Sequence, residues 1–466
     1  MKRARTFPHR NRQGSALVLS LIFIAVFSAL AAALGTISGA NVRLADNFRK
    51  ADTTRGSAES GLEVIRYWLS QVAMSGTIAP SERFNYLAST LQSQLTAAGI
   101  TNIVPVVSGS TITVTNVPLL SSNGQSFSAV LTSVDVNNVQ LEVTGHYGSL
   151  DRTVRSNFIF MHRADNVFDF GVATKGPLNL TGNVELEGYN IDVESNAYID
   201  CDDLMALSII GNSMIAGEVS IRNSMANVYL SGHAGVGGEY GADAMNHVKK
   251  GVPPSEFPDM DPSSFFSYAT GAYGHVLSPT DPTSGASYTY ENLHIPAGRN
   301  PSFSGNLTLK GVVYIETPNV VSFSGNLNIT AIIVTDGSST DNSGTNQLNF
   351  TGNITAHPIS QLPQEAKFQG LHSQTGTFIL APGFKASFGG NFGTVSGAIA
   401  ANGLQFYGNA GGIVNGSIIN YSPTALELTG NSDLKFNRSG LTEIPAGFVP
   451  RTIMQYDPSS YSECAL

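Results

Sequence analysis

From Ser15 to Asn41 the chain is apolar on every side: SALVLSLIFIAVFSALAAALGTISGAN. Leu, Ile, Val and Phe surround the helical wheel, so no stripe can be drawn. The run is longer than the roughly 20 residues that carry a helix across a bilayer's hydrocarbon core. It predicts a transmembrane helix over 15–41. From Val42 to about Gln71 the helical period continues but turns polar, with Leu44, Phe48, Ala51, Ala58, Leu62, Ile65 and Leu69 at three- and four-residue steps. Residues 81–99 predict a second helix, with Ser81 as N-cap and Gly99 as its stop. The period then drops to two. TITVT (111–115), SFSAVL (126–131), VQLEVT (139–144) and TVRSNFIF (153–160) predict strands, and the last two flank a hairpin turn that begins at His146. Residues 42–163 thus predict a small α+β head.

Beyond Arg163 short β-rich runs repeat around a Gly-Asn pair, as in Leu180-Thr-Gly-Asn, Phe303-Ser-Gly-Asn, Phe323-Ser-Gly-Asn, Phe350-Thr-Gly-Asn and Leu428-Thr-Gly-Asn. Gly305, Gly325, Gly352, Gly390, Gly408 and Gly430 follow one another at 20, 27, 38, 18 and 22 residues. A period near twenty, with one Phe or aliphatic residue, one Gly and one Asn per unit, marks a solenoid of stacked coils. Gly permits a tight corner, and Asn can hydrogen-bond to the Asn of the next coil. The pattern predicts a right-handed parallel β-helix over 164–450. The repeat is lost over 237–300, where Gly, Pro, Tyr and Asp crowd together, and this stretch predicts a long loop over the coils. The polar tail, 451–466, predicts a cap on the last coil.

Composition narrows the chemistry. Charged residues are 13% of the 466, and the net charge is −9 with five of the 25 basic residues before Ser15. No basic stripe is present for phosphate, so nucleic acid is not an expected partner. Hydrophobic content of 42% can fill a core. The two cysteines, Cys201 and Cys464, suit one disulfide in an exported protein; the alternative is two unpaired thiols. The histidines are scattered and form no HExxH or HxH pair, so no metal or other cofactor is expected. Two acidic clusters, Asp200, Asp202 and Asp203, and Asp259 with Asp261, are read first as turn residues. Sugar hydrolysis would need two carboxylates about 5–10 Å apart. Tyr268, Tyr273, Tyr288 and Tyr290 are read as cover for the solenoid, with carbohydrate stacking as the alternative.

Lys2, Arg3, Arg5, Arg10 and Arg12 precede the apolar run, and no further charge follows until Arg43. That bias predicts a cytoplasmic N-terminus and an exported remainder. The run is too long for an ordinary signal peptide, although Ala31-Ala32-Ala33 leaves a secretory cut as an alternative. A glycine lies before the run, in Arg12-Gln13-Gly14-Ser15-Ala16-Leu17. This arrangement resembles a type IV prepilin leader. The resemblance implies cleavage between Gly14 and Ser15 by a prepilin peptidase, with the helix retained as an inner-membrane anchor and later as part of a filament core. Leu19 stands where most major pilins carry glutamate, as in PilX-type minor pilins and in the tip-initiating pseudopilin of type II secretion. Ala58-Glu59-Ser60-Gly61-Leu62 resembles the AExGL element of PilX-type N-terminal regions. VTGHYGSLDRTVRSNF resembles the last hairpin of PilX-like heads, and the stretch 295–334 resembles a β-helical domain attached to PilX-like N-termini.

The reading that follows is a minor, low-copy pilin-like subunit or pilus-assembly protein, not an enzyme. Its expected partners are other pilins or pseudopilins through the N-terminal helix, the peptidase and the inner membrane. A surface or carbohydrate ligand is the expected partner of the β-helix. The alternatives are an adhesin or carbohydrate-binding module, and a membrane-anchored polysaccharide lyase or hydrolase.

Overall fold

The computed structural model describes residues 13–120, 124–439 and 444–464. Of the basic leader expected over 1–14, residues 1–12 lie outside them. Two compact units are present, one built from the N-terminal helix, residues 78–161 and the C-terminal segment from Ile453, the other from His162–Thr452 with Ser75–Thr77.

In the first unit, α1 runs without a break from Gln13 to Ser70, 58 residues or roughly 87 Å. Its second half supplies Ala58, Leu62, Ile65, Trp68 and Leu69 to the head core. Burial along the predicted stripe begins only at Thr54, while Leu44 and Phe48 are 54% and 65% exposed within the chain. The second helix, α2 (Arg83–Ala97), packs Leu87, Leu91 and Leu95 inward and stops at Gly99, whose φ is 77°. Ser81 does not cap it; a single 3-10 turn over Pro80–Glu82 leads in instead, because Pro80 fixes the start of the turn.

The head sheet has seven strands: β1 (Ala73–Ser75), β2 (Val106–Ser108), β3 (Thr111–Leu120), β4 (Gln125–Ser133), β5 (Asn138–Tyr147), β6 (Leu150–Arg163) and the C-terminal strand Arg451–Cys464. The C-terminal strand lies between β1 and β6. The tail is therefore not a cap on the last coil. Its alternation, with Met454 buried and Gln455 exposed, is that of a half-buried strand, and Met454 joins the head core.

The second unit is a parallel β-helix with three faces. Its coils do not stack in chain order. Strands Val172–Thr174, Leu178–Gly182 and Glu185–Gly188 pair in parallel with Ile418–Asn420, Leu426–Gly430 and Asp433–Phe436 of the last coil. On their other side they pair with Ala197–Ile199, Met205–Gly211 and Met214–Ile215. The chain thus begins in the middle of the stack, winds to one end near Lys250, returns along the outside, starts again at Ser284 and climbs until it meets its own first coil. The first coils bury their lower surface on the last ones, so the seam leaves no sheet edge open there.

Inside, one column of side chains runs the length of the stack. Phe303, Phe323, Phe350, Phe388 and Phe406 stack ring on ring at 5.4, 5.0, 5.0 and 5.0 Å. Leu428 and Leu180 continue the column across the seam. The glycines form a second column. A Cβ on Gly352 would lie 1.8 Å from the Gly325 carbonyl oxygen, so any side chain there pushes coils apart. The asparagines make the expected ladder: Asn326 Nδ2 donates to Asn306 Oδ1 at 2.9 Å, Asn183 to Asn431 at 2.9 Å and Asn212 to Asn183 at 3.1 Å. The first face reads as near-continuous hydrophobics (GVVYI, AIIV, FILA) because it is buried on both sides. Outside it, Phe257, Phe265, Ile359, Phe368 and Leu371 cover Tyr198, Val312, Ile332 and Leu380.

The predicted loop of 237–300 is shorter than expected. Ser284–Ile295 is a strand paired with Ser302–Ile315, so the stack gains a coil. The sequence hid it because Gly285-Ala286 stands in for Gly-Asn; Asn306 Nδ2 donates to the Ala286 carbonyl at 2.6 Å. The segment before it, with α3 (Ser263–Thr270), is the return path along the first face.

Glu194 ties the seam. Only 6% exposed, it accepts hydrogen bonds from the Asn190 and Arg438 amides at 2.7 and 3.0 Å, which joins the first coil to the last. Burial raises its pKa, but these donors outweigh burial and hold the carboxyl below the ordinary glutamate range. Glu194→Gln is expected to cost about 1.5–3 kcal/mol at neutral pH. A depressed folded pKa contributes stability above the unfolded value of about 4.3, and that stability is lost as pH falls through the folded pKa. Melting curves of variant and wild type should therefore separate at neutral pH and draw together as pH falls below the ordinary glutamate range. A constant gap would contradict the assignment.

Candidate functional site: the anchoring helix and its seat in the head

The first half of α1 packs against nothing among the described residues. Leu17, Leu19, Ile22, Phe23, Phe27 and Leu30 are each more than half exposed, and the segment is long and apolar enough to cross a membrane. Its hydroxyls are satisfied internally: Ser20 Oγ donates to the Leu17 carbonyl at 2.9 Å and Thr36 Oγ1 to Ala33 at 2.8 Å. In a hydrocarbon environment an unsatisfied hydroxyl would be costly. Gly14 and Ser15 lie in the first turn of this helix.

The second half is seated by small residues. Ala58 is fully buried, and a Cβ on Gly145 of β5 would lie 2.3 Å from the Ala58 nitrogen and 2.4 Å from the Thr54 oxygen. A Cβ on Gly61 would lie 2.5 Å from the ring of Phe127 on β4. Helix and sheet meet here at backbone distance, and no side chain fits at Gly145 or Gly61 without displacing its neighbour. Leu62, 4% exposed, fills the core beside it. Glu59 faces outward, paired with Arg55 Nε at 3.0 Å, and Arg55 also reaches Glu463 of the C-terminal strand at 2.7 Å. The Ala58–Leu62 element is therefore a packing motif with a charged outer edge. Gly145 and Phe127 complete the seat. Gly145 was legible only as part of a hairpin pattern, and Phe127 carried no signal beyond its place in a strand.

The other candidates are dispersed. Cys201 is buried in the β-helix core, Cys464 lies in the head strand, and both are free thiols. Of the two readings, the possible disulfide and two unpaired thiols, the structure has the second. Asp200 and Asp202 are both ion-paired to Arg222, Asp202 at 2.5 Å. Asp261 Oδ1 accepts from the Ser263 amide and hydroxyl at 3.1 and 2.5 Å, at the start of α3. Tyr290 is 6% exposed with its hydroxyl on the Pro282 carbonyl, and Tyr288 donates to Thr283 and Ser304 carbonyls, so both close the end of the stack. Tyr273 alone of the four is exposed, at 58%.

One helix is thus both long and apolar enough to cross a membrane and, over its far half, the spine of a small α+β head. Residues 13–63 match the model of the PilX N-terminal family. The competence-associated pilin ComZ from Thermus thermophilus is a structural neighbour at 11% identity and a TM-score of 0.25, covering 89% of this chain and 97% of its own. No curated protein matches the chain.

Proposed function

We propose that the protein is a minor, low-copy subunit of a type IV pilus or a related filament, processed between Gly14 and Ser15 by a prepilin peptidase. The N-terminus stays cytoplasmic, α1 anchors the subunit in the inner membrane, and the head and β-helix are exported for assembly or surface interaction. One observation carries this reading: a single helix is bare over its first half and built into the head over its second. The exposed Leu44 and Phe48 extend the bare surface toward the head and suit packing against neighbouring pilin helices. Leu19 offers no carboxylate to a neighbouring N-terminus, and a unit spanning His162–Thr452 is large for a subunit repeated throughout a lattice. Both favour few copies, at the tip or as an assembly factor. The acidic clusters support a non-enzymatic role, since Asp202 and Asp261 are already committed to partners.

Quantitative mass spectrometry of sheared, purified filaments tests the copy number. The expected result is this chain present at a small fraction of the major subunit. Equal abundance would contradict the minor role, and absence from filaments of a cell that expresses the protein would contradict filament membership.

A further inference from the structure

Where the first coil meets the last, four residues share one corner of the β-helix. Asn420, Thr174, Ile199 and Ile221 are in register across four neighbouring coils. The residues that follow them, Tyr421, Lys175, Asp200 and Arg222, therefore form a row with steps of about 4.8 Å. Together with Pro254 and Pro423 they line an open depression of about 400 Å³. The row exists only because of the permuted stacking, since Lys175 and Tyr421 come from opposite ends of the unit.

Lys175 is the unbalanced member. Its ammonium sits 5.0 Å from the centre of the Phe257 ring and 5.2 Å from that of Tyr421. Among the described residues no carboxylate lies within ion-pair distance of it, whereas Arg222 is held by Asp200 and Asp202. Burial lowers the Lys175 pKa, and the more distant Asp200 and Asp259 offset this only in part. A half-buried cation on two aromatic faces, open to this depression, is the complement of an anion.

We propose that this corner is a binding site for a carboxylate-bearing sugar, with the carboxylate on Lys175, the ring against the two prolines, and ring hydroxyls on Asp200 and Arg222. Asp200 supplies an acceptor and Arg222 donors, the pair that neighbouring hydroxyls require. A peptide carboxylate fits less well, because an extended peptide needs main-chain partners. The corner amides are already taken: Lys175 donates to Asn420 at 2.9 Å, Asp200 to Thr174 at 2.8 Å and Arg222 to Ile199 at 3.0 Å. The site deepens the display role proposed above and rests on it only for access to external sugars. Binding by the purified chain reads the pocket alone, and failure here leaves anchoring and processing untouched.

Calorimetric titration of the full-length protein in detergent with trigalacturonate provides the test, with a neutral galactose trisaccharide and trialanine as comparison probes. The expected result is saturable binding of trigalacturonate only, weakened about tenfold or more in Lys175→Met and largely retained in Lys175→Arg. Equal binding by Lys175→Met with an unchanged melting temperature would overturn the proposal. So would wild-type protein that takes the neutral trisaccharide equally well, prefers trialanine or binds no trigalacturonate. The wild-type comparisons keep the test decisive even if the methionine variant misfolds.

Discussion

Gly145→Val is expected to unseat α1 from the head and expose Trp68. The new side chain would meet the Ala58 nitrogen and Thr54 oxygen at 2.3 and 2.4 Å at its first carbon, and both are helix backbone that cannot rotate away. Overpacking in a close-fitted core commonly costs about 1–3 kcal/mol, and a clash with backbone on both sides belongs at or above the top of that range. The chain offers a clean readout. Trp68 is its single tryptophan, 5% exposed in the head core, so fluorescence reports the head and not the β-helix. A red-shifted emission and a lower unfolding midpoint are the expected outcome. Emission identical to wild type would mean that the sheet and helix do not meet at this glycine.

Phe350→Ala should have the opposite signature. The ring is 1% exposed and stacks on Phe323 and Phe388 at 5.0 Å on both sides. Removing it leaves a gap in a column with no slack, at a cost of about 3–5 kcal/mol. Each coil depends on its neighbours, so the loss is felt first in the coils around Phe350. Limited proteolysis should open new cuts there while Trp68 emission stays unchanged. A protease pattern like that of wild type would contradict a continuous phenylalanine column.

These residues show how much the sequence disclosed. The Phe, Gly and Asn of each unit were visible because all three repeat on one period, and each repeats for a physical reason: ring stacking, backbone approach and amide ladders. The permutation was not visible. Leu180 carries the same Leu-Thr-Gly-Asn signature as Leu428, but nothing local says that one coil stacks directly on the other. The coil at Ser284 escaped notice because Gly285-Ala286 keeps the glycine and lacks the amide side chain. The tail looked like a polar cap because Asp457-Pro458-Ser459-Ser460 reads as a turn, while the alternation before it, from Arg451 to Tyr456, marks the strand. The long apolar helix and the buried line through Ala58 and Leu62 were legible, since both depend on local pattern. The Lys175 corner could not be read at all, because it is assembled across the seam.

The mature N-terminus bears most directly on the pilin reading. Mass spectrometry of the protein from cells with and without the prepilin peptidase should find a chain beginning at Ser15 only when the peptidase is present, and an uncut leader when it is absent. An intact leader in both strains, or a cut near Ala33, would contradict it, and the β-helix would then have to be explained as an anchored or secreted module outside any filament.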